Sequence, residues 1–402
     1  MREVAGKTGE QQMNSDVLYG QELLPQGIRS RLIDNNNGCT MHVLEAGFEQ
    51  PGRPCVLLLH GFPECAFSWR KQIPFLAEAG YHVIAPDLRG YGRSSSAAVG
   101  YDDDLMPYSL INRVSDTVGL VKALGYDSIA GVIGHDYGSV VAAWCALLRP
   151  DVFQSVVLMS AAFPGAPALP KGTSASQPKG TLPLTGLPEA LAALTKPRQH
   201  YRWYYSTREA DADMWNCPQG VHDFLRAYFH FKSGDWPGNE PFPLASWAAS
   251  EMARMPTYYV MEMGRNMAQT VASEMPTAIE ISNCTWLTDE ELAVYSGEYQ
   301  RTGFQGGLQG YRVGTDSRFN GELKAFSDRT VDVPAMFISG ARDWGTYQSP
   351  GALERMSEIC TQHRGSHLIE AAGHWVQQER AEEVNALLAE FLSAAKDAPN
   401  LV

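Results

Sequence analysis

Residues 130–148 read Ala-Gly-Val-Ile-Gly-His-Asp-Tyr-Gly-Ser-Val-Val-Ala-Ala-Trp-Cys-Ala-Leu-Leu. The first four predict a short buried strand. The apolar run from Ser139 to Leu148 predicts a helix. Between them, Gly134-His135-Asp136-Tyr137-Gly138 is a G-x-D-x-G sequence in the strand–turn–helix setting of a nucleophile elbow. The central residue of such a turn is strained, and glycines two positions away avoid clashes with it. Most such elbows carry serine where this chain has Asp136. That difference selects the chemistry. A serine alkoxide attacks acyl carbons and leaves an ester that water cleaves. A carboxylate attacking an acyl carbon gives only an anhydride. Its useful targets are saturated carbons with a leaving group, such as an epoxide carbon or a carbon–halogen bond.

The flanking sequence repeats the strand–helix rhythm. Cys55-Val-Leu-Leu-Leu59 and Tyr81-His-Val-Ile-Ala85 are continuous apolar runs. Apolar positions Ile111, Val114, Val118, Val121 and Leu124 follow at helical spacing, and Val156-Val-Leu-Met159 is another buried strand. Residues 28–46 alternate around Asn35-Asn36-Asn37-Gly38, which predicts a hairpin. The rhythm implies a mostly parallel sheet with helices on both faces. It breaks at about residue 164. Residues 164–187 are rich in Pro, Gly, Ser and Thr, and helical segments full of Trp, Tyr and Met run on to about 300. Strands return at Val333–Ser339 and Ser366–Glu370, and a helix from Ala381 to Ala395 closes the chain. The expected division is an N-terminal extension (1–27), a first core part (28–164), a mainly helical cap (165–327) and a second core part (328–402).

The 402 residues are 44% hydrophobic and 19% charged, which suits a globular protein of this organisation. A net charge of −13 argues against nucleic acid or an anionic membrane surface as partner. Met1 to Gly20 lacks an apolar core of signal-peptide length, and no stretch approaches the roughly 20 apolar residues of a membrane span. The seven cysteines show no C-x-x-C spacing and several lie in apolar segments. They read as reduced core residues of a cytoplasmic protein. The ten histidines show no metal-binding spacing, so neither a metal nor a cofactor is expected.

A nucleophilic carboxylate needs a base for the second step. His374, in Ala371-Ala-Gly-His-Trp375, follows the last predicted strand, where ligands bind in open sheets. Asp343, in Ser339-Gly-Ala-Arg-Asp-Trp344, ends the preceding strand and can orient that histidine. The order nucleophile, acid, histidine is that of α/β-hydrolases. Negative charge developing on Asp136 must be met by backbone N–H groups. Tyr137, directly after the nucleophile, and Phe62, in His60-Gly-Phe-Pro63, are the candidates. Trp69, His135, Trp344 and Trp375 are expected to contact substrate, the three tryptophans and Tyr137 lining an apolar pocket.

Together, His60-Gly-Phe-Pro-Glu-Cys-Ala-Phe-Ser-Trp-Arg70, Gly134-His-Asp-Tyr-Gly138 and Gly373-His-Trp375 resemble the soluble epoxide hydrolases of the α/β-hydrolase fold, from about residue 28 to the C-terminus. The resemblance implies an α/β-hydrolase fold with an inserted helical cap. It also implies an apolar epoxide and water as substrates, and two cap tyrosines that hydrogen-bond the epoxide oxygen. One falls in Tyr201-Arg-Trp-Tyr204-Tyr205, with Tyr201 the choice and Tyr204 and Tyr205 competing. The other is Tyr311, in Gly303-Phe-Gln-Gly-Gly-Leu-Gln-Gly-Tyr311-Arg312. There the family's Asn-Trp has become Gln309-Gly310, which is expected to open space or loosen a loop. Phenols suit the task, because with a pKa of about 10 they stay protonated and can donate to a developing alkoxide. The glycine-rich Asp87–Arg93 loop lacks dinucleotide spacing and resembles a structural element of the family.

Other readings differ at single residues. Haloalkane dehalogenases typically carry tryptophan after the nucleophile, and fluoroacetate dehalogenases carry arginine. Here that residue is Tyr137. A specialised-metabolism hydrolase with another substrate remains open. An esterase would need serine in the elbow, and a non-catalytic receptor would not need all three triad members. A monomer or homodimer is expected.

Overall fold

The computed structural model describes residues 20–169 and 185–396. Most of Met1–Gly20 and much of the 164–187 stretch lie outside the described residues. One eight-stranded sheet forms the frame. Its strands are β1 (Arg29–Asp34), β2 (Thr40–Ala46), β3 (Cys55–Leu59), β4 (His82–Pro86), β5 (Gly131–His135), β6 (Val156–Met159), β9 (Val331–Gly340) and β10 (Cys360–Ile369), in spatial order β1-β2-β4-β3-β5-β6-β9-β10. The β1–β2 and β2–β4 pairs are antiparallel, and all the others are parallel.

The apolar runs read as strands because both faces are buried. In β3, Cys55, Leu57 and Leu59 face one core, while Val56 and Leu58 face the other. Helices α1 (Leu110–Ala123) and α2 (Tyr137–Leu148) pack into the first core. The C-terminal helix (Ala381–Lys396) packs into the second. β3 pairs with β4 on one side and β5 on the other, so the chain changes direction across the sheet between them. The crevice at the carboxyl ends of such strands is where ligands bind in open sheets. The loop after β3 and the turn after β5 meet there.

Between β6 and β9 the chain makes a mainly helical excursion. It includes α3 (Tyr201–Tyr204), α4 (Gly220–Lys232), α5 (Asp289–Thr302) and α6 (Gln305–Thr315). Its buried side chains join the first core without a break. It also holds a two-stranded antiparallel pair, β7 (Arg198–His200) with β8 (Val260–Glu262), that the sequence did not announce. No helix among the described residues is long and apolar enough to cross a membrane.

Candidate active site

Asp136 sits at the apex of the turn from β5 to α2, at φ 52° and ψ −116°. A non-glycine residue there costs about 1–3 kcal/mol and persists only where its surroundings enforce it. Those surroundings are steric. A Cβ on Gly134 would lie 2.1 Å from the Gly138 carbonyl oxygen, and one on Gly138 would lie 2.2 Å from that of Leu59. The elbow glycines are therefore required by backbone-to-backbone contact, not by clashes with Asp136 itself. Gly61 is the residue that abuts Asp136, for a Cβ there would lie 2.4 Å from that of Asp136.

The loop after β3 turns its backbone onto the carboxylate. The Phe62 N–H donates to Asp136 Oδ1 at 3.0 Å. Tyr137 is the first residue of α2, whose opening N–H groups have no intrahelical partner. His374 Nε2 lies 3.4 Å from Asp136 Oδ2. On its other side, His374 Nδ1–H donates to both oxygens of Asp343, at 3.1 and 3.2 Å. Asp343 is held in turn by the Gly345 N–H at 2.6 Å and by Ser339 Oγ at 3.1 Å. The structure thus brings Asp136, His374 and Asp343 into one line. Burial pushes the Asp136 carboxyl up, but the hydrogen bond and charge of His374, with Lys232 and His135, hold it well below the usual carboxylate range. The Asp136 carboxylate is therefore ionised at neutral pH.

A cavity of about 330 Å³ opens over Asp136. Tyr137, Tyr201 and Tyr311 border it, with Val140, Trp144 and Phe163 among its apolar walls. Of the three tyrosines on and after α3, only Tyr201 reaches the cavity. Tyr204 donates to Asp213 at 2.9 Å and Tyr205 to Tyr228 at 3.3 Å. The Tyr201 and Tyr311 rings are 5.8 Å apart in an edge-on contact. Burial pushes the Tyr311 phenol well above its ordinary value, and the charge of Asp136 adds to this. Burial raises Tyr201 as well. Both phenols are therefore protonated donors at neutral pH.

Four residues expected at the substrate are elsewhere. Trp69 is fully buried in the core on the opposite face of the sheet. Trp344 packs edge-on against Phe242. Trp375 is fully buried against Phe229, and its indole N–H donates to the Phe229 carbonyl at 2.8 Å. His135 alternates to the far side of its strand from Asp136. It donates from Nδ1 to Glu64 at 2.6 Å and from Nε2 to the His374 carbonyl at 2.7 Å. Gly310 also departs from expectation. It lies inside α6, not in a loop, and a Cβ there would lie 3.1 Å from the Tyr137 ring and 3.4 Å from Arg113 Nη2. Tyr137 and Arg113 occupy the space a larger residue would take.

Three buried ionisable groups that the sequence reading did not single out pack around the site. Glu64 is held at a pKa of about 2, since the charge of His135 outweighs the effect of burial. It also accepts from Gln377 and Gln378, at 2.9 and 3.0 Å, and ties the histidine loop to the loop after β3. Lys232 ends α4 beneath four aromatic rings, 4.9 Å from the Tyr259 centroid, 5.3 Å from Tyr228, 5.4 Å from Trp375 and 5.9 Å from Tyr258. Such ring faces attract a desolvated ammonium. Glu379 accepts from the N–H groups of Gly373 (2.9 Å), Trp375 (3.0 Å) and Gly234 (2.8 Å), so it brackets His374 and fastens its loop to the excursion. Burial raises its pKa to about 7 against those donors. Glu379→Gln turns an amide N–H toward one of these N–H groups. It is expected to cost about 1–3 kcal/mol, read as a lower urea midpoint at an unchanged slope. Among the described residues, no group of three or more His, Cys, Asp or Glu could hold a metal ion.

The mostly parallel sheet, the strained elbow and the order Asp136, Asp343, His374 define an α/β-hydrolase. The family model described as alpha/beta hydrolase fold matches residues 54–381. Epoxide hydrolase A of Mycobacterium tuberculosis is 34% identical over 372 residues, covering 90% of this chain and 97% of its own. The crystal structure of epoxide hydrolase A from Mycobacterium thermoresistibile is 32% identical with a TM-score of 0.68, covering 91% and 98%. An epoxide hydrolase from an endophytic Streptomyces is 31% identical with a TM-score of 0.73, covering 93% and 98%. The chain belongs to the epoxide hydrolase family of that fold.

Proposed function

We propose that this chain opens an epoxide to a vicinal diol through a covalent ester on Asp136. One observation carries the reading. The ionised Asp136 borders the same cavity as the phenols of Tyr201 and Tyr311 and lies 3.4 Å from a histidine base. In the first step an Asp136 oxygen attacks an epoxide carbon. The ring C–O bond breaks, and its electron pair goes to the oxygen, which takes a proton from a phenol. In the second step His374, oriented by Asp343, removes a proton from water. That water attacks the ester carbonyl carbon. The N–H groups of Phe62 and Tyr137 meet the resulting oxyanion, which collapses and breaks the ester C–O bond. The departing oxygen takes the proton held by His374, the remaining carboxyl proton returns to the phenolate, and the diol leaves as the Asp136 carboxylate is restored. The division of the chain into core (28–164 and 328–402) and cap (165–327) belongs to the same proposal. So do a cytoplasmic location, supported by cysteines that are buried or half-buried, and a monomeric or homodimeric state.

The test is a single turnover in heavy-oxygen water with enzyme in excess. The oxygen added to the epoxide carbon comes from Asp136, so the first diol is expected to carry almost no label. The label appears on Asp136, located by peptide mass analysis, and reaches the diol on later turnovers. A labelled first diol with unlabelled protein would make Asp136 a base for direct attack by water, and the ester route would be abandoned.

A further inference from the structure

The cavity over Asp136 carries more positive charge than the two-step reaction uses. Among its described lining residues Asp136 is the only carboxylate, whereas Arg202 and Lys324 both line it. Arg202 is half-buried next to Tyr201. Its Nε donates to Tyr201 Oη at 3.2 Å and its Nη2 to Gln348 Oε1 at 3.4 Å, both neutral partners. No described carboxylate lies within ion-pair distance of it.

A second guanidinium stands behind the wall. Arg113 on α1 is 3% exposed and lies 4.9 Å from the Tyr137 ring centroid. Its Nη1 donates to the Arg89 carbonyl at 3.1 Å, but its Nε and Nη2 have no partner. That Nη2 lies 3.4 Å from where a side chain on Gly310 would begin, and Gly310 lines the cavity. A buried guanidinium with unsatisfied N–H groups is costly unless an acceptor reaches it.

The reaction sharpens the imbalance. Once Asp136 is esterified it is neutral, and the lining then has no negative charge opposite these cations. A substrate that brings its own anion restores the balance in the intermediate. The cations also offset the repulsion such a substrate would meet from ionised Asp136 on entering.

We propose that this cavity is built for epoxides bearing a carboxylate close to the oxirane, held by Arg202 with Arg113 adding charge from behind Gly310. The proximity follows from Arg202 Nε lying 3.2 Å from the phenol of Tyr201, where the epoxide oxygen docks in the proposed mechanism. Val140, Trp144 and Phe163 take the hydrocarbon remainder. The inference rests on the epoxide-opening reading above.

The experiment compares kcat/KM for 2,3-epoxy-3-phenylpropanoate, its neutral primary amide and styrene oxide. Wild type is expected to prefer the acid over the amide by about tenfold or more, as for charge-assisted pairing with a guanidinium. Arg202→Met is expected to abolish that ratio, Arg202→Lys to keep part of it, and Arg113→Leu to lower it. The ratio is the readout because Arg202 also touches Tyr201, so the absolute rate on every epoxide shifts with it. The amide rate shows that each variant is folded. Equal rates on acid and amide in wild type, or a ratio untouched by Arg202→Met, would overturn the proposal while leaving epoxide opening intact. Turnover of none of the three compounds would remove the epoxide reading and this inference with it.

Discussion

In His374→Gln, the reaction is expected to stall with substrate attached to Asp136. The first step needs only an ionised carboxylate and an acid for the epoxide oxygen. The variant keeps both, because the Phe62 N–H still holds Asp136 and the two phenols still border the cavity. The second step needs a base beside the ester, and glutamine has none. Steady-state turnover is expected to fall by about a hundred- to ten-thousand-fold, the range of general-base catalysis. Meanwhile intact-protein mass spectrometry should record an adduct of enzyme plus the whole substrate, because ring opening expels no leaving group. The loop should keep its shape, since the carbonyl of residue 374 accepts from His135 and Ser160 and its N–H donates to Lys232 whatever the side chain. Asp343→Asn should fall between this variant and wild type, with a base present but badly oriented. Substrate-bound His374→Gln with no adduct would take His374 out of the second step.

The sheet was legible where both of its faces are covered. β3, β4 and β6 are nearly unbroken apolar runs for that reason, and sequence and structure agree on them to within a residue or so. The edge strand β10 was only half visible. It begins at Cys360, but from Thr361 its residues are half-buried or exposed, so the apolar criterion found only the end nearest the site. β7 and β8 have three residues each, too few for any periodicity.

The line of Asp136, Asp343 and His374 was legible because each residue is fixed by its place at a strand end. The pocket walls were not. Trp69 and Phe67 are two residues apart, yet Trp69 packs into one core and Phe67 into the other. Which of two aromatic neighbours faces which layer depends on how the short helix Ala66–Trp69 meets the sheet, and local sequence does not carry that. Lys232 had a faint signal. It continues the buried stripe of Tyr228 and Phe229 on α4, so a lysine there had to be buried. The partners of Glu64 and Glu379 lie far off in sequence or on backbone N–H groups, which leave no trace in residue identity.

Removing the cap phenols is expected to arrest the first step instead of the second. Tyr311→Phe and Tyr201→Phe each delete one donor to the oxygen that leaves the epoxide carbon. Each should slow single-turnover ring opening by about ten- to ten-thousand-fold. The double variant should leave the epoxide almost unopened, with no ester on Asp136. Tyr311 is expected to matter more. Its phenol makes no hydrogen bond among the described residues and faces the cavity with Phe62, Tyr137, Tyr201 and Tyr205 around its ring. Tyr201 is engaged with Gln348, so it must trade that partner, at 3.3 Å, for the epoxide oxygen. Tyr204→Phe and Tyr205→Phe are the controls. Their hydroxyls are spent on Asp213 and Tyr228, so losing them should lower stability without a selective loss of ring opening. The burst of ester formation, followed by quenched-flow mass analysis, separates the two classes. A full-rate burst in Tyr311→Phe would remove that phenol from the mechanism, and a selective loss in Tyr204→Phe or Tyr205→Phe would move the second donor away from Tyr201.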